Sequence, residues 1–134
     1  MEKLPVEGLK ERILDDLKSG VSRFVISAPT ASGKSTKLPQ IFAESEKITG
    51  QIIVLQPRRI AARFLAKTVA KQMQASLGKE VGWNIRFDKN CSAESKIVFE
   101  TEGILARQLL SEKTMQNVGA VILDEFHERN LYSD

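Results

Sequence analysis

Gly33, Lys34 and Ser35 lie in the stretch "APTASGKST" at residues 28–36, just after the apolar run Phe24-Val25-Ile26. A lysine and a hydroxyl at the end of a buried strand need a physical reason. The spacing A-x-x-x-x-G-K-S between a strand and a helix is close to the phosphate-loop pattern G-x-x-x-x-G-K-[ST]. The backbone N–H groups of such a loop, here Ala31, Ser32 and Gly33, point inward and hold phosphate oxygens. The following helix adds its positive N-terminal end. Lys34 then neutralises the β- and γ-phosphates of a nucleotide, and Ser35 offers an oxygen to Mg²⁺, a hard cation. Ala28 replaces the first glycine, and Ala31 stands where a glycine is common. If Ala31 must take a positive φ, the cost is about 1 kcal/mol, which weakens binding without abolishing it.

The second group of reactive residues is "VILDEFHER" at residues 121–129. An apolar strand ends there in two acids. Asp124 at the tip is placed to hold Mg²⁺ through water, and Glu125 to orient and polarise an attacking water. Alone, such a turn reads equally well as a solvated acidic end. Phosphoryl transfer needs a phosphate cradle, a metal ligand and a water-positioning group together, and this chain has all three. His127, the single histidine, follows Glu125 by two residues.

The elements that must position these groups are legible in the hydrophobic pattern. Residues 7–18 space Leu9, Ile13, Leu14 and Leu17 at helical intervals, and Ser19-Gly20 stops that helix. "VSRFVISA" follows as a strand, then a helix from Gly33 to Ser45 that Pro39 should strain or kink. "QIIVLQP" (51–57) reads as a short buried strand and residues 58–76 as a helix. "EVGWNIRF" (80–87) has an extended but ambiguous pattern. "KIVFET" (96–101) is a predicted strand, "GILARQLL" (103–110) a helix and "GAVILDE" (119–125) a strand. Helices alternating with apolar strands give a parallel sheet covered on both faces. Ligands of such sheets lie at the carboxyl ends of the strands, so the groups after Ile26, Leu55, Phe99 and Leu123 belong to one edge.

Bulk composition sets bounds. The 134 residues, 42% of them hydrophobic, suffice for one domain with a core. No apolar run approaches the ~20 residues of a membrane helix. "MEKLPVEGLK" lacks the apolar core of a signal peptide, and the lone Cys91 suits a reducing compartment, so a cytoplasmic protein with no membrane association is expected. The net charge of +3 permits a polyanionic partner without demanding one.

Taken in order, "APTASGKST", "QPRRIAAR", "VGWNIRF", "TEGIL" and "DEFHER" resemble motifs I, Ia, the V-G-x-x-I-R-F segment, Ib and II of DEAH-type superfamily 2 helicases. The phenylalanine in "DEFHER" and the early "LPV" are most similar to the bacterial HrpB-type group. The resemblance runs over nearly the whole chain. It implies an α/β, three-layer RecA-like domain with a mainly parallel sheet, binding ATP and Mg²⁺. By the same resemblance Thr30 and Thr36 are phosphate-side neighbours, and His127 couples the nucleotide site to a second RecA-like domain. "QPRR" and "TEG" are then expected to face a single nucleic-acid strand, RNA rather than DNA. Physics agrees: Arg58 and Arg59 follow a strand end and can grip phosphates, and Thr101 can hydrogen-bond one. Arginines at the positive end of a helix are mildly unfavourable unless an anion is near. Trp83 reads as packing rather than a stacking platform.

The family's motif III and its second domain, with the arginine fingers, are not in this sequence. Residues 1–134 are therefore expected to be the first RecA-like domain, truncated after motif II and incomplete at its C-terminal end. Alone it should hydrolyse ATP slowly at best, since an arginine finger is worth about 10³–10⁵ in rate in related enzymes. A phosphate-loop NTPase or a nucleotide-binding module that does not act on nucleic acid is the alternative.

Overall fold

A computed structural model describes residues 9–21, 34–111 and 116–123. All of the predicted strand at 21–28 except Val21, and the acidic turn at 124–129, lie outside them.

Among the described residues, nine elements follow in chain order: α1 (Lys10–Lys18), α2 (Lys34–Glu44), β1 (Gln51–Leu55), α3 (Arg59–Met73), β2 (Val81–Ile85), β3 (Asp88–Asn90), β4 (Ile97–Glu100), α4 (Glu102–Leu109) and β5 (Val118–Leu123). The sheet has the order β3-β2-β4-β1-β5. The β2–β4, β4–β1 and β1–β5 pairings are parallel, and β2–β3 is antiparallel. The interior strand β1, "QIIVL", lies between β4 and β5 and is buried along nearly its whole length. That is what a parallel strand covered on both faces requires.

One face of the sheet carries the main core. Ile52, Val54, Val81, Trp83, Ile85, Ile97 and Phe99 pack there with residues from α1, α2 and α3. Helix α3 turns Ala62, Ala66, Val69 and Ala70 inward. Those positions recur at helical spacing, and three of them are alanine, which lets the helix axis approach β2 closely. Side chains alternate along a strand, so Val98 and Glu100 project to the face opposite Phe99. Helix α4 meets that second face through Gln108, which bonds Glu100.

Two expectations are refined. The ambiguous stretch at 80–87 is strand β2 followed by a tight reversal into β3, with Ile85 opposite Asp88. β3 escaped the sequence pattern because "DKN" has no apolar alternation and belongs to an edge, where polar residues face water. Helix α2 runs on through Pro39 to Glu44. Pro39 has no N–H to give the Ser35 carbonyl, so the lost bond falls in the opening turns of the helix. Among the described residues, no helix is long and apolar enough to cross a membrane.

Candidate functional site

Parallel pairing brings the strand ends into one row. Leu55 at the end of β1 is in register with Glu100 of β4 and with Leu123 of β5, and Asn84 of β2 also pairs Glu100. The chain leaves β1 at this edge into Arg58 and Arg59, and leaves β4 into Thr101. It leaves β5 there as well, and Asp124 is the next residue in sequence. Asp124, Glu125 and His127 are outside the described residues, as are Thr30, Ala31, Ser32 and Gly33 and the side chain of Lys34.

Helix α2 begins at Lys34 and has no acidic residue in its first turn. Nothing on the helix itself therefore competes for the positive potential of that end. Ser35 and Thr36 are half-buried in this turn. Gln40 fixes the turn from below, donating from Nε2 to the Thr36 carbonyl at 2.9 Å and to Gln72 Oε1 of α3 at 2.7 Å. The turn that carries the hydroxyls is thereby fastened to a helix of the core. The donor set expected for Mg²⁺, the Ser35 hydroxyl and the Asp124 carboxylate, is all oxygen, which suits a hard cation.

The two arginines of "QPRR" behave differently. Arg58 is the N-cap of α3, extended at φ −123°, ψ 135°, with no side-chain capping bond. It is exposed and makes no ion pair among the described residues. Arg59 instead donates from Nη2 to the carbonyl oxygen of Arg86 at 3.0 Å. Arg63, one turn further on, pairs with Asp88 at 3.1 Å. Both bonds tie α3 to the β2–β3 hairpin. At the tip of that hairpin Phe87 is 89% exposed. It has φ 64° and stacks against the Arg86 guanidinium at 4.9 Å.

Thr101 is the N-cap of α4, extended at φ −100°, ψ 165°, and its hydroxyl makes no capping bond. A Cβ placed on Gly103 would meet nothing within 4 Å. The start of α4 is thus open at Gly103. Trp83 is buried in the core beneath Lys67, which sits 5.9 Å from its ring centroid. It is packing, and no base could reach its face.

Sequence reasoning missed Glu100. It is 1% exposed, and its Oε2 accepts from Gln108 Nε2 at 2.9 Å. Burial pushes its carboxyl up to about 7, against the opposing effects of the Gln108 bond and the Lys89 charge. The one available signal was an acid closing an otherwise apolar strand, "KIVFE".

A profile of DEAD/DEAH box helicases matches residues 9–131. The chain belongs to the DEAD/DEAH box helicase family. It is 38% identical over 134 residues to the ATP-dependent RNA helicase HrpB of Escherichia coli strain K12, a match covering 100% of this chain and 16% of that protein. It is 38% identical over 132 residues to the ATP-dependent RNA helicase DHX33 of Homo sapiens, covering 98% of this chain and 18% of the relative. The crystal structure of the E. coli DExH-box NTPase HrpB superposes with a TM-score of 0.88 over 100% of this chain and 16% of that one, at 38% identity. The five-stranded sheet is therefore the RecA-like fold of that helicase. The chain spans about one-sixth of the length of such relatives.

Proposed function

We propose that this chain is the ATP-binding part of a DEAH-type, HrpB-like RNA helicase, the first of two RecA-like domains. The observation that carries the proposal is the row formed by Leu55, Glu100 and Leu123. It brings the ends of β1, β4 and β5 to one sheet edge, where "QPRR" and "TEG" follow the first two strands and "DEFH" follows the third in sequence. Members of the family similar to this chain are ATP-dependent RNA helicases by name.

Each residue has a stated task in this reading. Backbone amides from Ala31 to Gly33, flanked by Thr30 and Thr36, cradle the phosphates of ATP. Lys34 neutralises the β- and γ-phosphates. Ser35 and Asp124 would hold Mg²⁺, which when bound supplies charge neutralisation at the phosphates. Glu125 orients the attacking water and accepts its proton. His127 relays the state of the nucleotide to the second domain. Arg58 and Thr101 grip phosphates of a single RNA strand, and Arg59 supports them through the hairpin. Contacts of this kind read the backbone and not the bases, as a translocating motor requires. The second domain contributes the arginine fingers, and its opening and closing with the ATP cycle moves the strand.

The test is RNA-stimulated ATP hydrolysis by the full-length protein, with Glu125→Gln alongside. Stimulation by single-stranded RNA, lost in the variant while ATP binding persists, supports the proposal. ATP turnover that RNA leaves unchanged would overturn it in favour of an NTPase without a nucleic-acid partner.

A further inference from the structure

Glu100 and Gln108 between them hold two acceptor oxygens with no donor. Gln108 Nε2 donates to Glu100 Oε2 at 2.9 Å. The other oxygen of each group, Glu100 Oε1 and Gln108 Oε1, is buried without a hydrogen-bond partner. Buried polar atoms are rarely left so, and two orphans at the ends of one existing bond need a common explanation. A carboxylate can only accept, but a carboxylic acid also donates. A carboxylic acid and a carboxamide, both planar, close a ring of two antiparallel hydrogen bonds. One proton on Glu100 satisfies both orphans.

We propose that Glu100 is held as a carboxylic acid whose Oε1–H donates to Gln108 Oε1, and that this acid–amide ring is the positioning element that seats α4, with Thr101 and Gly103, on the carboxyl end of β4.

The surroundings support the acid form. Glu100 is buried, and that burial drives its carboxyl up to about 7. The groups that face it from neighbouring elements are few. Among the described residues, Lys89 of β3 is the cation that opposes protonation. Cys91, just after β3, has its thiol pushed up by burial and stays neutral. The flanking strand positions, Leu55 and Asn84, carry no charge. On α4 itself Glu102 and Arg107 are exposed. No residue of α4 is buried, so the helix has little apolar anchorage of its own among the described residues. A polar ring at its last turn then matters to where its first turn sits. Loss of the proton would leave one bond, a buried carboxylate and a loosened helix. The RNA consequence rests on the proposed contact of Thr101 with the strand, whereas the ring does not.

The experiment has two arms. In the first, the protein is labelled with ¹³C at glutamate side-chain carboxyls, and Glu100→Gln identifies the Glu100 resonance by its disappearance. The ring requires an acid-form shift at pH 6 and titration near 7. A carboxylate shift at pH 6, titrating with the other glutamates, overturns it. In the second, binding of single-stranded RNA is measured at pH 6 and pH 8.5. Glu100→Gln rebuilds both bonds without a titrating proton, since its amide N–H replaces the acid O–H. Wild-type affinity should fall about three- to tenfold more than that of Glu100→Gln between the two pH values. Gln108→Leu should bind as weakly at pH 6 as the wild type does at pH 8.5. Equal pH responses in wild type and Glu100→Gln would overturn the positioning role. Absence of RNA binding in every protein would overturn the RNA reading of this edge, and the carboxyl titration would still decide the ring.

Discussion

The Arg59 guanidinium donates to the carbonyl oxygen of Arg86 at 3.0 Å, joining the first turn of α3 to the tip of the β2–β3 hairpin. One arginine of "QPRR" is thus spent on the protein's own backbone. Its neighbour Arg58 is exposed at the N-cap with no capping bond. Two adjacent arginines of the same motif therefore have separable roles.

Arg58→Ala should weaken RNA binding across all sequences and reduce the salt slope by about one, with little change in melting temperature. Arg59→Ala should instead destabilise the fold by about 1 kcal/mol through loss of a charged hydrogen bond. Binding measured over a salt series, with thermal unfolding of both variants, separates the two. Equal loss of stability in both would remove the distinction.

The phosphate loop is tested by ligand-induced stabilisation. A ligand that binds the native state alone stabilises it by about 2.7 kcal/mol at a hundred times its dissociation constant. Mg²⁺-ADP should raise the melting temperature of the wild type and leave Lys34→Ala unmoved. A shift that survives in Lys34→Ala would place the nucleotide elsewhere.

Glu100 gives stability a defined pH dependence. Its carboxyl stands at about 7 in the folded chain against 4.5 for the ordinary group. Between those values the folded state binds more protons than the unfolded one. Stability from this group is therefore complete below about pH 4.5 and is lost as pH rises to about 7. Glu100→Gln removes that slope, so the variant should melt at or above the wild-type temperature at pH 8. Thermal unfolding from pH 5 to pH 8 reads the difference, and identical slopes would contradict it.

Two glycines should respond oppositely to alanine. A Cβ at Gly82 would lie 2.0 Å from the Asn90 carbonyl oxygen and 2.9 Å from Cys91 Cβ. Backbone must move to admit it, so Gly82→Ala should cost more than about 3 kcal/mol or prevent folding. A Cβ at Gly103 meets open space within α4. Gly103→Ala should stabilise the chain by about 0.5–1 kcal/mol as helix propensity improves. Under the proposed function it should also weaken RNA binding, because the methyl group fills the approach to Thr101. Gly103→Ala that gains stability and keeps full RNA affinity would show that no strand passes there.

The amino-acid sequence alone determined the alternation of strands and helices, and with it the parallel sheet. Runs such as "IIVL" in β1 and "IVF" in β4 are apolar without a break because both their faces are covered, and that signal is local. The motifs were legible for a similar reason: each is a contiguous set of residues whose spacing is its meaning. Strand β3 was not legible, since "DKN" pairs only because the hairpin brings it to Val81–Ile85. The sequence also treated Arg58 and Arg59 alike. Only the fold, by laying the Arg86 carbonyl beside α3, gave them different partners. Glu100 is the clearest case. In the sequence it is an acid at the end of a strand. Its burial and its bond to Gln108, eight residues on, arise when the chain turns back from β4 into α4. Desolvation depends on every neighbour at once, so tertiary structure decides it, whereas periodicity is written residue by residue along the chain.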